Sequence, residues 1–369
     1  GWLQGAITLG GGSLGGSLYL GVIGGYELLW LQPLMMIFGV LMLSVIGYVT
    51  LSTGEKPFQA INKHINPVLG WGWLVAAMLA NLVWAMPQFA LGTAAIQQNF
   101  KLFSEDNWKY GQHICAAILF IVGATVVWSY DSGNKGVKYF EIILKVMVGI
   151  VVLSFFGVII VMAGELQWGA IFAGFIPNFS LLSEPASKFT EIIAKSSDPG
   201  YWNDVILSSQ RDRMVTAAAT AVGINMTFLL PYSMLRKGWG KEHRSLATFD
   251  LSLGLFLPFF LATTCVVIAS ASQFHGKYDE GLLDPAKKTA LTAKLQVAYD
   301  KNLSGIQAKL GEAKEPNDTD KQLAAMLVSR DAFQLAGSLE NLNGNKAVSQ
   351  IVFGIGVLGM ALSTIIILM

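Results

Sequence analysis

Charge is what this sequence has least of. Only 13% of its 369 residues are Asp, Glu, Lys or Arg, against roughly a quarter in a soluble domain. Hydrophobic residues make up 53% and the mean hydropathy is +0.52. A water-soluble globular domain is therefore excluded, and a net charge of +1 offers nothing to attract nucleic acid or an acidic partner. Cysteine is nearly absent: Cys115 and Cys265 lie far apart in apolar runs, so no metal cluster is expected and nothing supports a disulfide between them. The four histidines, His64, His113, His243 and His275, fall in loops or at the ends of apolar runs. With no nucleophile–base set in view, an enzyme is not expected. The opening Gly1-Trp2-Leu3-Gln4 lacks a basic n-region and a cleavage pattern, so no signal peptide is expected.

Long apolar runs are what the sequence does have. About 20 such residues cross the hydrocarbon core of a bilayer, and runs of that length lie near 3–23, 28–51, 68–98, 112–129, 139–163, 213–235, 248–272 and 348–369. The chain reads as an all-α polytopic membrane protein. Asn81 and Gln88 in the third run, polar groups at membrane depth, are expected to face the interior of the bundle. Glu141 and Lys145 in the fifth are spaced to neutralise each other near one end of a helix. Tyr130 to Lys135 has the composition of a turn.

Two runs are interrupted. The first contains Gly10-Gly11-Gly12-Ser13-Leu14-Gly15-Gly16, and each glycine costs a helix interior about 1 kcal/mol relative to alanine. An unwound segment is expected there, although close helix packing would by itself explain Gly12 and Gly16. The sixth contains Asn225-Met226-Thr227-Phe228-Leu229-Leu230-Pro231-Tyr232-Ser233. Pro231 has no N–H to donate and crowds the carbonyl one turn back, so this helix is expected to kink or unwind at the proline.

The dense basic segment Arg236 to Arg244 marks the cytoplasmic side, which puts the start of the first span in the cytoplasm and the segments 165–212 and 276–345 outside. Interruptions five spans apart and opposite in direction fit a LeuT-like inverted repeat with discontinuous helices one and six. On this reading residues 1–164 form the first repeat, 165–212 an external loop, and 213–369 the second repeat, of which spans six to eight are visible, with an external cap at 276–345. Freed carbonyls and half-helix ends at the midplane would attract a cation. The candidate ligands are the carbonyl at Gly10, Ser13 Oγ, Asn225, Thr227 Oγ and the Leu230 carbonyl before Pro231, all neutral oxygens.

The run Gly25-Tyr26-Glu27-Leu28-Leu29-Trp30, with Thr53-Gly54-Glu55 closing span two, resembles the natural resistance-associated macrophage protein (NRAMP) family of divalent-metal transporters. The family's Asp-Pro-Gly-Asn falls on Gly10-Gly11-Gly12-Ser13, and its Ala-x-x-Met-Pro-His on Thr227 to Tyr232. The pattern of replacements resembles the divergent prokaryotic branch of NRAMP-related magnesium transporters. The resemblance implies that the aspartate ligand has become Gly10 and the soft methionine ligand Leu230. Its proton-route positions fall on Tyr232, Lys237, Met86 and Phe89. The expectation is a monomeric transporter in the plasma (inner) membrane that moves hydrated Mg²⁺, and also Mn²⁺, inward without proton coupling. The metal is its substrate, and no cofactor is expected. The alternatives are an amino-acid or amine transporter of the same architecture and a proton-coupled transition-metal transporter.

Overall fold

The computed structural model describes residues 1–103, 108–130, 134–311, 314–343 and 346–369, so the expected turn at 131–133 lies outside the described residues. Every regular element among them is helical. The membrane body opens with α1 (Trp2–Thr8), α2 (Gly11–Gly24), α3 (Leu31–Thr53), the short α4 (Pro57–His64), α5 (Pro67–Ala94), α6 (Gly111–Tyr130) and α7 (Asn134–Met162). An outer segment holds α8 (Trp168–Ala173) and α9 (Ser187–Ile193). Then come α10 (Pro199–Ala221), α11 (Ile224–Arg236), α12 (Arg244–Leu251) and α13 (Leu257–Phe274). The outer helices α14 (Ala290–Leu310), α15 (Asp318–Met326) and α16 (Ala332–Asn343) precede the final span α17 (Lys346–Leu368).

Among the described residues, seven helical stretches are long and apolar enough to cross a bilayer, and an eighth is the pair α1–α2, bent by 59° at its break. This is a multi-span membrane protein. Its surface agrees: α5 turns Trp71, Val75, Leu79 and Val83 outward, each more than half exposed, as a lipid-facing helix does. Of the seven stretches, those that contain α13 and α17 are the most buried. Helix α2 packs closely on α13, where a Cβ at Gly21 would lie 2.0 Å from Ser270 Oγ and 2.5 Å from Val267 O, so only glycine permits that approach. Helix α17 packs on α7 with Phe155 and Phe353 edge to face at 5.7 Å.

Local chemistry sets the helix ends. Gly54, at φ 71°, closes α3 in the left-handed conformation. Asn66 Oδ1 accepts from Val68 N at 2.8 Å to start α5, with Pro67 in the first turn. Asp198 does the same for α10, accepting from Tyr201 N at 3.0 Å ahead of Pro199. That cap starts a long helix inside the segment expected to be an external loop up to residue 212. The sixth span begins at Pro199, well before the apolar run, and its first turns stand in the outer layer.

Two further expectations change. Glu141 pairs with Lys237 of the basic segment at 2.7 Å, not with Lys145 one turn along its own helix. This joins α7 to the end of α11. The external cap expected at 276–345 also does not stand apart from the 165–212 segment. Asp320 is wholly buried and accepts from Trp202 Nε1 at 2.8 Å, Asn317 N at 2.8 Å, Ser197 N at 3.2 Å and Ser197 Oγ. The two outer segments thus form one layer, tied to the membrane body where Trp30 N donates to Gly174 O at 2.8 Å and Glu27 accepts from Ser187. Cys115 and Cys265 are both buried free thiols.

Candidate functional site

Both broken spans open onto one small cavity, which α5 and α17 close. The first break is narrower than the glycine run suggests. Only Leu9 and Gly10 leave the helix, and Gly11–Gly24 is regular. Gly10 is extended (φ −122°, ψ −175°) and caps α2, where Ser13 Oγ accepts from Gly10 N at 3.2 Å and donates to Gly10 O at 2.9 Å. Gln88, expected to face inward, does so: its Oε1 accepts from Gly11 N at 2.9 Å and its Nε2 donates to Trp84 O at 3.3 Å. The amide thus holds the freed backbone in place from α5. Gly12 is required at its position, because a Cβ there would come within 2.4 Å of the Trp84 ring.

The second break is not at Pro231. Helix α11 continues through the proline, and the chain leaves helical geometry at Val222 and Gly223. The local chemistry favours that place. Val222 and Gly223 are weak helix formers, and Asn225 Oδ1 takes the backbone N–H of Met226 at 2.9 Å, which competes with the helix ladder. A Cβ on Gly223 would lie 2.6 Å from that Oδ1.

The cavity has a volume of about 30 Å³. A water needs about 10–15 Å³ on such a measure, so the space takes about two and not a six-water shell. Gly10, Ser13 and Asn225, three of the five sequence-derived ligands, line it together with Thr8, Thr220, Gln88, Met226 and Thr364. The other two point elsewhere. Thr227 Oγ1 donates to Ile224 O at 2.6 Å, and the Leu230 carbonyl accepts from Ser233 Oγ at 2.9 Å. Leu230 faces a separate cleft with Gln4 and Glu141. Sequence reasoning missed Met226, which is 2% exposed and whose sulfur accepts from Thr8 Oγ1 at 3.1 Å. The signal was its place next to Asn225, hidden by fixing attention on the proline.

Helix ends complete the electrostatics. The C-terminal ends of α1 and α10 bring partial negative charge to the cavity, as at cation sites in broken-helix carriers. No side chain in the lining titrates, and among the described residues no three His, Cys, Asp or Glu side chains come together as a metal cluster. Any cation held here would be held by hydroxyl, amide and carbonyl oxygens and one thioether. On the face of the basic segment a wider cleft of about 620 Å³, lined by Lys56, Asn81, Tyr232 and Arg236, shares Leu368 with the cavity.

No curated protein matches the chain. Crystal structures of two mutants of an Eremococcus coleocola manganese transporter are similar to it, each with a TM-score of 0.49 and 14% or 13% identity. The match covers 100% of this chain and 68% of theirs. The sequence profile of the natural resistance-associated macrophage protein-like family matches residues 1–295. By that match, which takes in both breaks and the first seven spans, the chain belongs to the NRAMP family of divalent metal transporters.

Proposed function

We propose that this transporter carries Mg²⁺, with Mn²⁺ as a second substrate, through the cavity between the two breaks and without moving protons. The observation that supports it most is the lining: oxygens of Ser13, Thr220, Asn225 and Gln88, with no side chain that titrates. Mg²⁺ takes oxygen ligands and gives up its water reluctantly. The small cavity therefore asks for a partly dehydrated ion, with hydroxyls and carbonyls replacing the lost waters. Met226 favours the second ion, since a thioether suits transition metals better than Mg²⁺.

A neutral site needs no proton to balance it. With the basic segment 236–244 on the cytoplasmic side of the plasma membrane, the potential alone drives a divalent cation inward. The drive is about 4.6 kcal/mol per 100 mV for two charges. Residues 1–164 and the chain from Pro199 onward then belong to the two repeats, with the ion between their broken helices.

Uptake into liposomes loaded with Mg²⁺- or Mn²⁺-sensitive dye tests the reading. Saturable uptake that falls at least about tenfold in apparent affinity in Ser13→Ala or Asn225→Ala supports it. Uptake of amino acids in place of either ion contradicts it.

A further inference from the structure

The final span offers the cavity an oxygen that binds nothing else. Thr364, on α17, is 3% exposed, and its Oγ1 has no hydrogen-bond partner. A helical threonine ordinarily turns its hydroxyl onto a carbonyl of the preceding turn. Thr263 on α13 does so, donating to Phe259 O at 2.7 Å. Ser363, next in the chain, donates to Met360 O at 3.1 Å and lies 3.3 Å from Ala6 O. Thr364 makes no such bond, and a buried hydroxyl left unpaired is costly enough to need an explanation.

Its surroundings supply one. A Cβ built on Gly10 would lie 2.7 Å from Thr364 Oγ1 and 3.5 Å from Ile7 O. The hydroxyl of α17 and a carbonyl from the end of α1 thus converge on the space that any side chain at position 10 would fill. That space belongs to the cavity, which both Gly10 and Thr364 line. A hydroxyl oxygen with free lone pairs, beside a carbonyl at a helix C-terminal end, suits a hard cation.

We propose that Thr364 Oγ1 is a direct oxygen ligand of the transported divalent cation, supplied by a third helix besides the two broken spans. The inference rests on the reading of the cavity as the ion's site. It also gives Gly10 a positive role: the missing side chain makes room for the α17 hydroxyl. When the ion binds, it bridges α17 to the break in the first span.

The test compares Thr364→Val, which keeps the shape and removes the oxygen, with Thr364→Ser, which keeps the oxygen. Each is made in the full chain and measured for Mg²⁺ and Mn²⁺ uptake in liposomes and for the rise in Tm caused by each ion in detergent. The valine variant is expected to raise KM for both ions about tenfold or more and to lose most of the ion-induced rise in Tm. Its Tm without ion is expected to be unchanged or higher, because an unpaired buried hydroxyl has gone. A merely structural role for Thr364 would move the ion-free Tm the other way. The serine variant is expected to stay within about twofold of the parent KM. Should the valine variant fail to fold, Thr364→Ala takes its place with the same readouts. A parent-like KM in the oxygen-free variant overturns the ligand, as does a serine variant as impaired as valine. A parent protein that carries neither ion overturns the cation reading itself and this ligand with it, so the two failures are distinct.

Discussion

On the proposed reading, the Met226 sulfur is what lets the cavity take Mn²⁺ as well as Mg²⁺, and Met226→Leu isolates it. The side chain is 2% exposed and its thioether accepts from Thr8 Oγ1 at 3.1 Å. Leucine conserves the volume, at a packing cost below about 1.5 kcal/mol. Loss of the acceptor for Thr8 adds about 0.5–1.5 kcal/mol. Both costs fall on the protein whichever ion is present, so they cancel in a ratio of affinities. What does not cancel is the sulfur's preference for the softer ion. If the thioether contributes about 1.4 kcal/mol more to Mn²⁺ than to Mg²⁺, the KM ratio shifts about tenfold toward Mg²⁺. Initial uptake rates for each ion, taken on one liposome preparation, give that ratio directly. Two KM values that move by the same factor would refute the reasoning, because the sulfur would then be packing and not a ligand.

Three other substitutions probe the frame around the site. Gly12→Ala puts a Cβ 2.4 Å from the Trp84 ring; it is expected to cost about 1–3 kcal/mol and to depress uptake of both ions, and a variant with parent Tm and uptake contradicts the packing. Asp320→Ala orphans the Trp202, Ser197 and Asn317 donors. It is expected to lower stability by about 3 kcal/mol or more, read by thermal unfolding, and a loss under about 1 kcal/mol would show that the outer layer stands without it. His275, at the end of α13, is held below its ordinary pKa of 6.5 chiefly by burial; its hydrogen bond to Val22 O opposes that shift, Lys188 adds to it and Glu27 opposes it. Its neutral form is therefore favoured in the fold. Stability is full above about 6.5 and falls as pH drops below it toward the folded pKa. Tm measured between about pH 7 and pH 5 is expected to fall in the parent and less in His275→Gln, and identical slopes would exclude this histidine.

Much of the frame was legible because a bilayer demands it. Apolar runs of sufficient length can only be spans, and the glycines at 10–12 lie where the first one breaks. Proline is the stronger helix breaker in a sequence, yet the second break falls at Gly223, beside Asn225. Pro231 lies inside α11, which continues through it, while the chain leaves helical geometry at Val222 and Gly223, just ahead of the backbone-bonding Asn225. That shift of eight residues replaced Thr227 and Leu230 by Met226 in the cavity lining. The Glu141–Lys237 pair joins residues far apart in the chain, and the Asp320 network joins two outer segments across more than a hundred residues. Thr364, beside Ser363 in an otherwise aliphatic run, carries no signal of its own in the sequence. Such partners become visible only when the helices are assembled.

The central claim is a neutral cavity that passes a divalent cation without protons. Its most direct test holds the protein in liposomes under a valinomycin-set potential, with a Mg²⁺ dye and internal pH followed together. Mg²⁺ influx is expected to saturate, to scale with the imposed potential and to leave internal pH unchanged. Influx that acidifies the lumen in fixed proportion to the metal would contradict it.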